Sequence, residues 1–169
     1  MALPRKLKYF NLFNDGGSYL HTIDEMVLPK LARKMEEWRA GGMDTPIKID
    51  MGGEALQCEW TCAGFMDDAI AQFGAQKHDA VALRFAGSYQ AEDSTTPVAV
   101  EVVMRGRHSL IDMGNAKTGE ETAFKVTSEL SYYKLIVSGK ELVEIDAINM
   151  IHKVNGEDVL AEHRSAIGI

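Results

Sequence analysis

The sequence predicts a mainly β fold carrying two short helices. Three observations lead there. From Pro97 to Arg107, Val98, Val100, Val102 and Met104 alternate with Ala99, Glu101, Val103 and Arg105, the period-two pattern of a strand with one face in a core. A second β-prone run, Val81 to Tyr89, precedes it, and the polar turn Glu92-Asp93-Ser94-Thr95 between them makes the pair a hairpin. A third run, Phe124 to Val137, places Phe124, Val126, Leu130 and Tyr132 on one phase and Tyr133, Leu135 and Val137 on the other. Such a phase change predicts a β-bulge.

The remaining elements follow in the same way. Leu56, Cys58, Trp60 and Cys62 share one side of a strand, and Ser138-Gly139-Lys140 turns the chain into a strand over Glu141 to Asp146. Phe65, Ala69, Ile70 and Phe73 share a helical face, with Asp67 and Asp68 suited to the N-terminus and Gly74 to the stop. A second helix is expected from about Glu157 to Ile167, with Val159, Leu160, His163 and Ile167 on one face. Pro29 to Arg39 is ambiguous. Leu28, Leu31, Met35 and Trp38 recur at helical spacing, and Ala32, Lys34 and Glu36 favour helix.

Bulk properties narrow the function. The 169 residues suffice for one domain, and 46% hydrophobic with 25% charged residues is an ordinary globular balance. No stretch approaches the roughly 18 apolar residues of a membrane span, and the basic start Arg5-Lys6-Leu7-Lys8 lacks the apolar run of a signal peptide. The net charge of −7 makes the chain a poor nucleic-acid binder, because that affinity rests on Lys and Arg displacing counterions. Cys58 and Cys62 have no second Cys/His pair to complete a metal site and read as buried free thiols.

No catalytic constellation emerges. His21, His78, His108, His152 and His163 are scattered, and no His-Glu-x-x-His, Gly-x-Ser-x-Gly, Walker A or Gly-x-Gly-x-x-Gly pattern occurs. Neither a catalytic residue, a cofactor site nor a metal site is therefore assigned. Asp67-Asp68 is explained by a helix start, and Arg105-Gly106-Arg107 by a solvated strand end. The segment Arg39-Ala40-Gly41-Gly42-Met43-Asp44 reads as a flexible hairpin tip, with Met43 an exposed apolar residue suited to docking.

Ordered blocks along nearly the whole chain resemble the major tail tube proteins of contractile-tailed phages, and more distantly the tubes of R-type bacteriocins. They are Pro4 to Gly16, Leu28 to Leu31, Trp38 to Met43, Arg84 to Gln90, Val98 to Arg107, Tyr132 to Leu135, Glu141 to Asp146, Ile148 to Ile151 and Lys153 to Gly156. Cys58 to His78 departs most. The resemblance implies a single domain over residues 1–169, an antiparallel β-sandwich or barrel with a flanking helix. It also implies a projecting hairpin around residues 30–50, so that Pro29 to Arg39 is extended, with Leu31, Arg33, Met35 and Glu37 on one face.

The same resemblance implies hexameric rings stacked into a hollow tube inside the sheath, assembled in the host cytoplasm and carried in the virion tail. Its partners would be further copies, the sheath protein, baseplate and tail terminator proteins, and the tape measure protein in the lumen. DNA would pass without specific binding, and the subunit would not insert into membrane. Arg39 to Asp44 would touch the next ring, and Glu101 is a candidate for the lumen. If each of six copies lends four strands, the circle is roughly 50 Å wide, and six chains of charge −7 bring −42 to each ring. The alternatives are the tube of a headless bacteriocin, a type VI secretion tube and, from another class, a small β-barrel ligand-binding enzyme.

Overall fold

The computed structural model describes residues 2–169. In chain order the elements are β1 (Lys6–Asn14), β2 (Gly17–Ser18), β3 (Ile23–Val27), β4 (Arg33–Trp38), β5 (Ile47–Gly53), β6 (Leu56–Cys62), α1 (Asp67–Ala71), β7 (Val81–Gln90), β8 (Val98–Asp112), β9 (Phe124–Val137), β10 (Lys140–Asp146), β11 (Ile151–Val154), β12 (Glu157–Asp158) and α2 (Ala161–Ala166). Every strand pairing is antiparallel.

Two long strands organise the fold. The first half of β8 pairs with β7 on one side and with the second half of β9 on the other. Past Gly106, β8 pairs only with the first half of β9, whose far side carries β6 and then β3. The sheet thus folds on itself into a larger layer (β2-β1-β7-β8-β9-β10-β11-β12) and a four-stranded layer (β3-β6-β9-β8). Both contribute to one core: Trp60, Cys58 and Cys62 from β6 and Phe124 and Val126 from β9 meet Leu12, Leu83, Phe85, Val102, Met104 and Tyr133. Each of the larger buried side chains contributes roughly 2–3 kcal/mol.

The bend has a sequence cause. Register shifts fall between Arg105 and Gly106 and between His108 and Leu110, and Ser131 of β9 is the residue left without a partner. This is the bulge expected from the phase change of β9. It already turns Tyr132 to the outside, so the phase switches one residue earlier than the apolar spacing suggests. Gly106 makes the close crossing feasible, because a Cβ there would lie 2.0 Å from the Glu129 carbonyl oxygen.

Two expectations need correction. Phe65 and Phe73 do not reach the core; both are exposed, and α1 buries Ala69 instead. Glu157 and Asp158 do not open a helix. They pair with Val154 and Lys153, and α2 starts only at Ala161. There the Asp158 carboxylate accepts from Leu160 N–H at 3.1 Å and from Arg164 Nη2 at 2.6 Å, anchoring the helix from outside it. Val159 and Ile167 remain exposed.

Candidate assembly interface and bore face

Residues 33–53 form a two-stranded antiparallel sheet of their own, β4–β5, set between β3 and β6. The helical spacing of Leu28, Leu31, Met35 and Trp38 does not produce a helix. The chain is extended there, and the cross-strand pairs Glu36↔Ile49, Glu37↔Lys48 and Trp38↔Ile47 fix the register. The ladder continues towards the body through Glu54 N–H, which donates to the Ala32 carbonyl at 2.9 Å.

Alternation gives the ribbon two unlike faces. Arg33, Met35, Glu37, Lys48 and Asp50 occupy one, where Arg33 Nε donates to Asp50 Oδ2 at 2.8 Å. Trp38, Ile47, Ile49 and Met51 occupy the other beside Lys34 and Glu36, and these four apolar residues are 40–54% exposed. A lone hairpin is only marginally stable in water. An apolar stripe on such a ribbon therefore calls for a partner surface.

The tip is built differently from the expectation. Met43 N–H donates to the Ala40 carbonyl at 3.2 Å, and the Met43 thioether turns back to accept from Ala40 N–H at 3.3 Å. Met43 is half-buried against its own turn and is not the freely exposed docking residue expected. Of the paired glycines only Gly42 has a positive φ, +87°. Arg39, Gly41, Gly42 and Asp44 are exposed, and Ala40 is half-buried. The apolar area available for docking thus lies on the strands and not at the tip.

The outer faces of the two layers also differ. On the four-stranded layer the residues opposite the core side are Glu25 and Val27, then Gln57, Glu59 and Thr61, then Lys125, Thr127 and Glu129, then Arg107, Leu110 and Asp112. Acids outnumber bases there by four to two, and among the described residues none of the six forms an ion pair.

On the larger layer three bases, Arg84, Arg105 and Lys134, are engaged. Arg84 lies 3.2 Å from Glu101 and over the Phe13 ring, and Lys134 lies 2.7 Å from Glu141. Arg105 stacks 3.9 Å over Tyr132, whose hydroxyl donates to Glu144. The Glu141 hydrogen bond holds the Lys134 ammonium above its usual range. Glu101, expected as a lumen candidate, sits on this larger layer.

Between the layers runs a polar network. Tyr19 donates its hydroxyl proton to Asp68 of α1 at 2.5 Å and accepts from Asn14 Nδ2 at 2.9 Å. Asn14 and Gln72 exchange bonds of 2.8 and 2.9 Å. His108 Nε2 donates to Gln72 Oε1 at 2.9 Å, which leaves Nδ1 to accept from Ser128, also at 2.9 Å. Burial lowers the His108 pKa and, with the Asp68 bond, raises that of Tyr19. These partners satisfy polar groups that would be costly if buried alone, and they tie α1 to the sandwich.

Burial also pushes both cysteine thiols up to about 12, so they stay protonated. Both are free and buried, as expected. Among the described residues no His/Cys/Asp/Glu cluster suited to a metal occurs, and no helix is long and apolar enough to cross a membrane.

Comparison with known proteins agrees with this geometry. Residues 4–168 match the phage tail tube protein FII family. The chain is 50% identical to the tail tube protein of Escherichia phage P2 over the full length of both, and 36% identical to the major tail tube protein of Serratia phage KSP20, covering all of this chain and 99% of that one. Among solved structures, a chain of the sheath–tube complex of the PVC extracellular contractile injection system in its extended state aligns with a TM-score of 0.58 at 9% identity, over 79% of this chain and 90% of that one. A chain of the sheath/tube terminator of the same system gives 0.59 at 10% identity, over 79% and 96%. A chain of the anti-feeding prophage baseplate gives 0.56 at 10% identity, over 80% and 97%. At such identities the last three bear on the fold, whereas the two full-length relatives and the family match place this chain in the phage tail tube protein family.

Proposed function

We propose that this chain is the structural subunit of a phage tail tube, in which hexameric rings stack into a hollow conduit inside the contractile sheath and DNA passes through to the host cell. The observation that carries the reading is the β4–β5 ribbon, an amphipathic two-stranded sheet that leaves Trp38, Ile47, Ile49 and Met51 without a cover in the single chain. A stacked polymer of identical subunits supplies that cover once per copy. Within this proposal the strands of the ribbon provide the apolar contact, and the tip Arg39, Ala40, Gly41, Gly42, Met43 and Asp44 provides shape and register against the adjacent ring.

The sheath, baseplate, tail terminator and tape measure proteins are the further partners proposed, with assembly in the host cytoplasm and residence in the virion tail. Both full-length relatives are phage proteins, which favours a DNA-conducting tail over a headless bacteriocin. Mass photometry of the purified chain over a concentration series tests the proposal. Ring and multi-ring masses are expected, and deletion of Gly41 to Met43 should abolish the multi-ring species while the chain stays folded. A single monomer mass at every concentration would refute it.

A further inference from the structure

One side of the polar network between the layers is secured by no main-chain bond. Among the described residues, the backbone of residues 64–75 bonds only within that segment, and its helix α1 (Asp67–Ala71) buries only Ala69. Side chains hold the segment in place. Asp68 accepts from Tyr19, Gln72 bonds Asn14, Asp15 and His108, and the Phe65 ring packs edge-on to Phe124 at 5.8 Å. We infer that α1 is an acid-released latch, which lifts off the sandwich when His108 takes up a second proton while both layers stay paired.

The surroundings of the ring set where it yields. His108 is 5% exposed, with Nε2 towards Gln72 of α1 and Nδ1 towards Ser128 of β9. The carboxylates that act on it are Asp15, in the turn after β1, and Asp68. Their oxygens are engaged elsewhere, those of Asp68 with Tyr19 and Ala69 N–H and those of Asp15 with Gln72 and Ala82 N–H. Tyr19 and the thiols of Cys58 and Cys62 are the other titratable groups of this corner, and β6 also presents the Trp60 ring. No anion bonds the ring directly, and burial outweighs the pull of the two carboxylates, so the charged ring is disfavoured while α1 is seated. Moving Gln72 away opens Nε2 to water. Reaching Nδ1 would instead require parting β8 from β9. Trp60 packs 5.5 Å from Tyr19 and 6.0 Å from His108, and its buried Nε1–H has no acceptor among the described residues, so water entering there gains a partner.

Release discriminates between the two thiols. Cys62 ends β6 beside Tyr19 and Asp68 and loses its cover with α1. Cys58 lies further back along β6, paired with Ser128, and stays enclosed as long as the layers hold.

Thiol labelling of the full wild-type chain, at concentrations below tube growth, tests the latch. Dithiodipyridine reacts with thiols in acid, and tandem mass spectrometry tells Cys62 from Cys58. Each rate is divided by that of the denatured chain at the same pH. As pH falls from about 6.5 towards the lowered folded value of His108, relative labelling of Cys62 should rise by about tenfold per pH unit, because the released state binds one more proton. Cys58 should stay protected. His108→Gln should remove the rise, and Gln72→Leu should label Cys62 rapidly near neutral pH with Cys58 still protected. A flat Cys62 profile in the wild type, a rise that survives in His108→Gln, or Cys58 and Cys62 labelled in step would overturn the latch. Where His108→Gln fails to fold, the wild-type profile and Gln72→Leu decide alone.

Discussion

Replacement of Trp38 by alanine tests whether the ribbon's apolar face is what holds stacked copies together. Trp38 is 50% exposed and lies outside the hydrophobic core, so its loss should leave the folded subunit nearly unchanged. A Trp side chain carries up to about 250 Å². Half of that, ~125 Å² at ~25 cal/mol per Å², is worth about 3 kcal/mol when a neighbour covers it. Each 1.4 kcal/mol is tenfold in an association constant, so Trp38→Ala should raise the critical concentration for tube growth by about a hundredfold. Pelleting across a dilution series measures that concentration, and circular dichroism of the unassembled fraction checks the fold. Glu37→Ala, on the charged face of the same strand, is the control and should change it little. An unchanged critical concentration in Trp38→Ala would show that this face is not the contact.

Four further outcomes are expected. Gly106→Ala should destabilise the subunit by about 3 kcal/mol or more, because the new Cβ meets backbone at Glu129, which cannot rotate away; thermal unfolding at fixed concentration reads this directly. Gly42→Ala should slow tube growth through strain at φ +87°, whereas Gly41→Ala, with open space and an ordinary φ, should be tolerated. His108, whose pKa burial lowers, contributes stability that is full above about pH 6.5, its unfolded value, and is lost as pH falls towards the folded value; denaturant titrations should show that slope and its flattening in His108→Gln. Glu59→Lys, on the acid-rich outer face of the four-stranded layer, which we propose lines the bore, should retain assembly but slow DNA ejection, because each added cation repeats around the ring and can displace counterions from phosphate.

The two layers were legible in the sequence to different degrees. Val98 to Met104 and Leu56 to Cys62 announce their inward faces by alternation alone, and the same alternation already set Gln57, Glu59 and Thr61 on the other side. What one strand cannot tell is which layer it joins, and for that reason Glu101 could be nominated for the lumen and then found on the larger layer against Arg84. The β4 segment misleads locally because Leu28, Leu31, Met35 and Trp38 satisfy a helical period; the extended form rests on pairing with β5, a non-local term. Phe65 and Phe73 satisfied the helix pattern yet stayed outside, since α1 is a single short turn held by Asp68 and Gln72 to groups from other elements. Nothing in local spacing could assemble Asn14, Tyr19, Gln72 and His108. They converge only after β8 has bent at Gly106.

The most direct test of the account is a cryo-electron microscopy reconstruction of the polymerised chain. Stacked six-fold rings around a hollow bore roughly 50 Å wide at the backbone are expected, with the outer face of the four-stranded layer towards the bore and the β4–β5 ribbon crossing into the neighbouring ring. Particles that remain single chains, or a polymer in which the ribbon contacts no other copy, would contradict it.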